Sequence, residues 1–178
     1  MSTLHAAKLN RECFRALYGD RKPAFELING QPEQKAVPTK NHSLLQLILG
    51  GMLGELGFRA YTELTCAIGE SWEPVPDVAG MLGPDPEPEE PYPTRPVAVV
   101  IEILSPSDRF TSLDRKCRKY AEWGIPDILV FDPVDRIAWH WDRATRSLVG
   151  FESYRFVSRP DREISLAEIF RRFEERRG

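Results

Sequence analysis

The sequence predicts an α/β fold with a mixed β-sheet, and the prediction depends on two buried strands with a helix between them. Residues 97–104 read VAVVIEIL, a β-branched run typical of a central strand that is covered on both faces. Residues 128–131 predict a second buried strand, and residues 113–123 between the two have helical periodicity, with Gly124 placed to end the helix. A helix between two such strands predicts a right-handed crossover within the sheet.

The remaining elements extend this fold on both sides of the crossover. Residues 43–56 predict a buried helix because they are apolar nearly all round, and Thr39 and Asn41 before them are capping candidates. Glycines at positions 50, 51 and 54 each cost about 1 kcal/mol in a helix, so we expect their backbone to pack closely against a strand or a second subunit. Further strands are predicted at residues 59–68, 137–141, 151–157 and 163–165, and a final helix at residues 166–176.

Length and composition are those of an ordinary globular protein. The chain has 178 residues, of which 42% are hydrophobic and 29% are charged, and we expect a single domain over residues 1–178. Three cysteines without a CxxC pair indicate reduced thiols, and the first residues contain no apolar run typical of a signal peptide. The most apolar predicted helix, at residues 43–56, is too short to cross a bilayer. We therefore predict a cytoplasmic protein with no membrane partner.

The distribution of charge limits where a nucleic acid can bind. The net charge is -3, so a phosphate partner needs a local basic patch. Basic residues within 109–119 supply one such patch, whereas the arginines within 171–177 are interpreted as the solvated end of the last helix. Residues 74–96 contain eight of the fifteen prolines and predict a surface loop, whose acidic stretch at 84–96 is expected to avoid a phosphate backbone.

Glu102 is the most informative residue because it lies within the buried strand at 97–104. An ionised carboxylate there is costly unless a metal ion, a basic side chain or a proton compensates it. Asp77, in VPDV, is placed at a strand end, and two converging carboxylates with water and a backbone carbonyl suit Mg²⁺. Lys116, one turn before Tyr120 on the following helix, is placed to orient water and stabilise charge on a phosphoryl group. An exposed helical lysine is the alternative interpretation of Lys116.

Several short segments, taken together, resemble a known family. They are FELING at 25–30, His42, VPDV at 75–78, VIEILSPS at 100–107, Lys116 with Tyr120, GIP at 124–126 and VFDP at 130–133. Over residues 25–170 the sequence resembles the Uma family of putative restriction endonucleases, within the PD-(D/E)XK nuclease superfamily. The most specific parts of the resemblance are EILSPS and the lysine, tyrosine and glycine that follow it.

The resemblance implies a restriction-endonuclease-like fold, in which helices flank a central mixed β-sheet. It implies that Asp77 and Glu102 are the carboxylates that bind a divalent metal ion, Mg²⁺ or Mn²⁺, and that the carbonyl of Ile103 is a further metal ligand. Glu26 is implied as an additional acidic residue of the site, and His42 as a hydrogen-bond partner of a site carboxylate.

One position departs from the superfamily motif. The catalytic lysine of the superfamily follows the glutamate by two residues, where this sequence has Leu104. The resemblance implies that Lys116 carries the lysine function instead. The acid commonly found four residues before that lysine is replaced by Ser112, with Asp114 nearby. Leu104 is therefore the main sequence argument against catalysis.

The leading hypothesis is a metal-dependent endonuclease that hydrolyses DNA phosphodiester bonds. In this hypothesis Asp77 and Glu102 hold Mg²⁺, Lys116 positions water or balances charge, and Glu26 supports the cluster. The alternative is a catalytically inactive nuclease-fold module for binding or regulation, in which Glu102 pairs directly with Lys116 or another cation. A hydrolase that acts on a non-nucleic substrate is a third hypothesis, because the net charge is negative.

The apolar surface that the sequence indicates predicts a homodimer. The glycine-containing helix and the strand at 137–141 supply more apolar surface than one small sheet covers. Trp139 and Trp141 are expected on one face of that strand and His140 on the other. We expect Cys117 to point into the core and Glu63 to be an exposed strand carboxylate.

Overall fold

The part of the chain that the structure describes is organised around a six-stranded mixed β-sheet with helices on both faces. The structure is a computed structural model and describes residues 8–84, 88–93, 95–106 and 108–178. Asp85 and Glu87 of the predicted acidic loop, and Ser107 of the EILSPS segment, lie outside these residues. The helices are α1 (Arg11–Tyr18), α2 (Lys40–Glu55), α3 (Phe110–Trp123) and α4 (Leu166–Arg177). The strands are β1 (Phe25–Ile28), β2 (Gln31–Gln34), β3 (Arg59–Thr62), β4 (Val78–Met81), β5 (Val99–Ile103), β6 (Asp127–Asp132), β7 (Ile137–Asp142), β8 (Ser147–Gly150), β9 (Ser153–Arg155) and β10 (Glu163–Ser165).

The predicted crossover connection is confirmed. β5 and β6 pair in parallel, with Glu102 opposite Val130, and α3 connects them. The order of the main sheet is β3–β4–β5–β6–β7–β8, and its other neighbouring strands pair antiparallel. β1 pairs with β2 and β9 with β10 outside this sheet. β5 is thus a central strand, as its continuous apolar sequence predicts.

Alternation along β5 divides the core into two layers. Val99, Ile101 and Ile103 belong to the layer that α2 and α4 cover. Val100 belongs to the layer beneath α3, and Glu102, two residues further on, points to the same side. This alternation directs the Glu102 carboxylate towards the helix that follows it in the sequence.

Helix α2 is buried as predicted, but its glycines do not make the expected contacts. Thr39 caps the helix, since its hydroxyl accepts a hydrogen bond from the backbone N–H of His42 at 3.2 Å. A Cβ atom built at Gly50, Gly51 or Gly54 meets no atom of the described residues within 4 Å. The prediction that a strand of this chain packs closely against these glycines is therefore wrong. The buried side chains that hold the helix on the sheet include Leu45, Ile48, Leu49, Met52 and Leu53.

The strand predicted at residues 59–68 is shorter than expected. It ends at Thr62, because Glu63 adopts a left-handed backbone conformation with φ of 56°. The N–H of Glu63 donates to the carbonyl of Asp77 at 3.3 Å, and the chain then leaves the sheet. A turn follows at residues 69–72, where Gly69 and Trp72 form an isolated β-bridge.

The strand predicted at residues 151–157 is shorter than expected, since only Ser153–Arg155 forms a strand, β9, and it lies outside the main sheet. β8 ends at Gly150, and β9 pairs with β10 instead of continuing along β7. Asp127 explains the departure, because its buried carboxylate accepts hydrogen bonds from the backbone N–H groups of Val157 at 2.7 Å and Ser158 at 3.0 Å. These hydrogen bonds satisfy the buried carboxylate and hold residues 157–158 beside the start of β6.

The alternation predicted for β7 is confirmed. Trp139 and Trp141 pack in the layer beneath α3, whereas the His140 ring lies 5.2 Å from the ring of Tyr154 on the opposite face. The side chain of Trp139 also contacts the ring of Phe110, with the centroids 5.9 Å apart. This strand therefore contributes to the core of the chain.

All three cysteines belong to the described residues, and all are free thiols. Cys66 and Cys117 are buried, and burial raises the pKa of both thiols, so the core direction predicted for Cys117 is confirmed. No helix in the described ranges has the length and apolar character needed to cross a membrane. The cytoplasmic location and the single domain over residues 1–178 remain predictions.

The contrast between open and filled glycine sites gives a stability prediction. Gly51→Ala is expected to raise the free energy of unfolding by about 0.5–1 kcal/mol, because alanine favours the helix and its Cβ meets open space. Gly80→Ala in β4 is the matched comparison, since a Cβ there lies 2.5 Å from Cγ1 of Val99. It is expected to lower the free energy of unfolding by about 1–3 kcal/mol. Urea denaturation of both variants at a concentration at which the chain is monomeric checks the two signs, and destabilisation by Gly51→Ala under that condition would contradict the open site.

Candidate active site

A cleft of about 680 Å³ lies where the β1–β2 hairpin, the start of α2 and α3 meet the adjoining ends of β4 and β5. β4 and β5 are antiparallel, so the residue that precedes β4 lies beside the last residues of β5. The fold therefore brings together side chains that are far apart in the sequence. The predicted site side chains that line this cleft are Glu26, His42, Asp77, Glu102 and Lys116.

Glu102 is held by two side chains from α3. Its Oε1 accepts a hydrogen bond from the Tyr120 hydroxyl at 2.7 Å and lies 2.8 Å from Nζ of Lys116. Its Oε2 accepts a second hydrogen bond from Nζ of Lys116 at 2.9 Å. Burial raises the pKa of Glu102 to about 7, since the charge of Lys116 offsets only part of the loss of solvent. Lys116 and Tyr120, four residues apart, reach the same carboxylate because they share one face of the helix.

Lys116 connects Glu102 to Glu26 in the β1–β2 hairpin. Nζ of Lys116 lies 2.9 Å from Oε1 of Glu26, and the same Glu26 oxygen accepts a hydrogen bond from the backbone N–H of Val75 at 2.6 Å. Burial lowers the pKa of Lys116, but the charges of Glu102 and Glu26 outweigh burial and raise it well above the ordinary value. Lys116 is therefore a protonated cation at neutral pH. Its interpretation as an exposed helical lysine is wrong, because its side chain is only 12% exposed.

Asp77 is held from three directions. Its Oδ2 accepts a hydrogen bond from the backbone N–H of Ile103 at 2.7 Å and lies 3.3 Å from Nε2 of His42. Its Oδ1 accepts a hydrogen bond from Nζ of Lys35 at 3.2 Å. Burial raises the pKa of Asp77, but the hydrogen bond from His42 and the charge of Lys35 outweigh burial and lower the pKa to about 2. Asp77 is consequently an ionised carboxylate across the physiological range.

Sequence reasoning missed Lys35, which follows β2 in a segment without helical or strand periodicity. Its ammonium donates hydrogen bonds to Oε2 of Glu63 at 2.7 Å and to the carbonyl of Val75 at 2.9 Å, in addition to Asp77. Burial lowers the pKa of Lys35, but the charges of Asp77, Glu26 and Glu63 together outweigh burial and raise the pKa above its ordinary value. A single lysine between two predicted elements carries no sequence signal for this position, so only the fold reveals it.

Glu63 also lies closer to the site than expected. Its side chain is about half exposed, as predicted, but it contacts Lys35 and accepts a hydrogen bond from the Gln46 amide at 3.0 Å. The same Gln46 amide donates to the backbone carbonyl of Asp77 at 2.8 Å. Glu63 is therefore fixed at the edge of the cleft, although the strand that was expected to carry it has already ended.

The basic and acidic residues of α3 have separate roles. Asp114 pairs with Arg118 at 3.2 Å on the outer surface of the helix. Ser112 lines the cleft, where its hydroxyl is a hydrogen-bond partner of Arg115 at 3.4 Å. Arg109 lines the cleft as well and forms no ion pair with any of the described residues. In the last helix, Arg171 and Arg172 pair with Glu168, as expected of a solvated helix end.

The oxygen ligands that the sequence indicated are present, but they contact basic groups. Among the described residues, no group of three or more histidine, cysteine, aspartate or glutamate side chains is arranged to hold a metal ion. Carboxylates and a backbone carbonyl are nevertheless the donor types that Mg²⁺ and Mn²⁺ prefer. The donor set therefore fits such an ion in chemical type, with ammonium groups in contact with the carboxylates of Asp77 and Glu102.

The sheet order, the crossover helix and the acidic cleft define a restriction-endonuclease-like fold. One solved structure with this arrangement is described as a putative nuclease belonging to DUF820 from Anabaena variabilis ATCC 29413. Its TM-score to this chain is 0.72 at 21% sequence identity, covering 86% of this chain and 93% of that chain. At this identity the likeness establishes the fold, and the predicted central mixed sheet flanked by helices is confirmed.

The family is established independently of that likeness. A profile of the Uma2 family, described as "Putative restriction endonuclease", matches residues 11–174. The chain belongs to this family, which confirms the resemblance seen in the sequence and extends it beyond residues 25–170. A search of curated proteins finds no match to the chain.

His42 gives a prediction about pH in the metal-free protein. Burial lowers the pKa of His42, but the hydrogen bond and charge of Asp77 outweigh burial and raise the pKa above 6.5. The stabilisation from protonated His42 is therefore complete at pH values below 6.5 and is lost as the pH rises through the folded-state pKa. We expect the difference in unfolding free energy between wild type and His42→Gln to be larger at pH 6 than at pH 9.

Chemical denaturation in EDTA at the two pH values measures this difference. His140→Gln is the control, because its ring packs against aromatic rings instead of a carboxylate. The prediction is contradicted if the difference for His42→Gln is the same at both pH values.

Proposed function

We propose that this chain is a metal-dependent endonuclease that hydrolyses phosphodiester bonds in DNA. The observation that carries the proposal is the convergence of Asp77, Glu102 and Lys116 in one cleft of a chain that belongs to a family of restriction-endonuclease type. The nuclease fold of the solved neighbour supports the same reaction class. Two carboxylates and a lysine in a shared cleft match the needs of phosphoryl chemistry, namely metal binding and compensation of growing negative charge.

The proposed metal ligands are side chains of Asp77 and Glu102 with the backbone carbonyl of Ile103. All three residues line the cleft, and Asp77 is already tied to the backbone of Ile103 by a hydrogen bond. A bound Mg²⁺ or Mn²⁺ supplies Lewis-acid stabilisation of the phosphoryl oxygens and lowers the pKa of a bound water. His42 is proposed to hold the Asp77 carboxylate in position, because it lies at the start of α2 with Nε2 near Oδ2.

Lys116 is proposed to act as a cation. Its raised pKa keeps it protonated, so it cannot accept the proton of the attacking water. A protonated ammonium in the cleft orients water and stabilises the negative charge that grows as the new P–O bond forms and the old one breaks. Glu26 supports Lys116 by holding its Nζ at 2.9 Å.

DNA is the proposed substrate, and among the described residues the cleft offers one cation, Arg109, that is free to contact it. Arg109 lies at the start of α3, lines the cleft and forms no ion pair within the described part of the chain. Arg115 and Arg118 on the same helix are paired with Glu33 and Asp114. A local cation of this kind supplies the phosphate contact that a net charge of -3 does not supply in bulk.

Cleavage of supercoiled and single-stranded DNA in Mg²⁺ or Mn²⁺ tests the proposal. We expect wild type to cut only with metal present, and Glu102→Gln and Lys116→Met each to reduce the rate by about 100-fold or more, because each removes charge from the cleft. Lys119→Met is the matched control, since Lys119 lies on the same helix but pairs with Glu122 at the surface. It is expected to cut at the wild-type rate.

The unfolding temperature of each variant is measured with and without Mg²⁺ in the same experiment. A metal site predicts that Mg²⁺ stabilises the wild type and stabilises Glu102→Gln less. Absence of cleavage by folded wild type with every metal and DNA substrate would overturn the nuclease proposal.

A second candidate function is a nuclease-fold module that binds or regulates without cutting. The observation in its favour is the direct contact of Lys116 with both oxygens of Glu102, which compensates the buried charge without a metal ion. Leu104, at the position of the superfamily lysine, points the same way. This candidate predicts a folded protein that Mg²⁺ does not stabilise and that does not cut DNA, so the same two measurements decide between the candidates.

We further propose that two copies of the chain form a homodimer. The supporting surface is the outer side of α2, where Leu47 is 61% exposed and the space above Gly51 and Gly54 is open. Such open small residues let a second backbone approach closely. Sedimentation is expected to show a dimer at micromolar concentration and a monomer after Leu47→Glu, because a buried charge opposes association. A wild type that sediments as a monomer at high concentration would contradict the proposal.

A further inference from the structure

The ammonium group of Lys35 is surrounded by three oxygen atoms. Oε2 of Glu63, the carbonyl oxygen of Val75 and Oδ1 of Asp77 lie 2.7, 2.9 and 3.2 Å from its Nζ. The Lys35 side chain is only 14% exposed, so the charge is held inside the wall of the cleft. Two carboxylate oxygens and one carbonyl oxygen are the ligand types that hard divalent cations prefer. The Lys35 ammonium therefore occupies a position whose neighbouring oxygen atoms suit a metal ion.

The two carboxylates around Lys35 are held in place by contacts that do not depend on Lys35. Glu63 is fixed through its other oxygen, which accepts a hydrogen bond from the Gln46 amide at 3.0 Å. Asp77 is fixed through its other oxygen, which accepts a hydrogen bond from the backbone N–H of Ile103 at 2.7 Å. Each carboxylate thus has one oxygen tied to the fold and one oxygen directed at the ammonium. Loss of the ammonium leaves the two directed oxygens near each other with their charge uncompensated.

The charged side chains of the cleft favour an additional cation. Asp77, Glu63, Glu102 and Glu26 bring four carboxylates to the cleft, whereas Lys35 and Lys116 bring two ammonium groups. With all six groups ionised, these side chains carry two more negative than positive charges. A divalent cation neutralises this excess, but at Asp77 it meets the charge of Lys35.

We propose that a divalent metal ion binds Asp77 by displacing the Lys35 ammonium from Oδ1, so that Lys35 sets how tightly this chain binds its metal. The proposal rests on the proposed metal-dependent function, and it assigns Lys35 a positioning role that neither the family motif nor the sequence pattern indicated. In the metal-free protein, Lys35 keeps the carboxylates of Asp77 and Glu63 in position for metal binding and reduces the repulsion between them. In the metal-bound protein the ammonium lies free in the cleft.

Binding of Mn²⁺ to the full chain, followed by the electron paramagnetic resonance signal of free Mn²⁺, tests the proposal without DNA. Lys35→Met keeps the length and apolar stem of the side chain but removes its charge, and we expect its Kd for Mn²⁺ to fall by about tenfold or more relative to wild type. Lys119→Met, which removes the same charge from the surface of α3, is expected to keep the wild-type Kd. Adding Glu63→Gln to Lys35→Met is expected to remove most of the gain in affinity, since only one of the two charged oxygens, that of Asp77, then remains.

A measurement on the wild type avoids dependence on how well Lys35→Met folds. In nuclear magnetic resonance spectra of the lysine Nζ groups, the Lys35 signal is expected to change during a Mg²⁺ titration with the same midpoint as metal binding, while the Lys119 signal stays constant. Metal binding by wild type without a change at Lys35, or an equal or weaker affinity of folded Lys35→Met, would overturn the proposal.

The outcomes separate this proposal from the proposed function. Metal-dependent cleavage by wild type together with an unchanged Kd in Lys35→Met overturns only the role of Lys35. Failure of wild type and both lysine variants to bind Mn²⁺ overturns the displacement proposal and the metal-dependent nuclease together. Tighter binding by Lys35→Met without DNA cleavage by any variant supports displacement and overturns the nuclease.

Discussion

The burial of a carboxylate in the middle of a parallel strand pair is the constraint on which the site depends. Glu102 lies opposite Val130 in the register of β5 and β6, so water cannot surround its charge from the sheet side. The compensation comes from one face of α3, where Lys116 and Tyr120 both reach the carboxylate. The connection between the two parallel strands also supplies that helix, because α3 links β5 to β6 and packs over the face that Glu102 occupies. The same connection therefore joins the parallel strands and places Lys116 and Tyr120 beside Glu102.

The second acid of the site follows from a different pairing. The antiparallel register of β4 and β5 sets Asp77 beside the backbone N–H of Ile103, and α2 and the chain after β2 add His42 and Lys35. Asp77 and Glu102 have opposite pKa shifts although they line the same cleft. Donors and cations surround Asp77 and lower its pKa, whereas burial dominates at Glu102 and raises it. The cleft thus holds one carboxylate that is firmly ionised and one whose charge depends on its partner.

The position of Lys116 shows how a site tolerates a change in sequence order. Leu104 follows Glu102 by two residues, and it packs partly in the layer beneath α3. The cationic function is available from α3 because its long side chain spans the distance back to the strand. The ammonium that contacts Glu102 comes from α3, the element that covers that face. A motif defined by spacing along the strand misses this arrangement, whereas the contacts in space show it.

The central strand and the crossover helix were predictable from the sequence, as was the meeting of Glu102, Asp77, Lys116, Glu26 and His42 in one cleft. These features are local or carry a family pattern: a continuous β-branched run, helical periodicity that ends at Gly124, and motif segments in a fixed order. Only the tertiary structure decided where β3 ends, that the α2 glycines face open space, and that Lys35 lies against Asp77. The physical reason is that these depend on contacts between segments distant in the chain. Lys35 lies 42 residues from Asp77, and no local pattern of residue types encodes the meeting of two such groups.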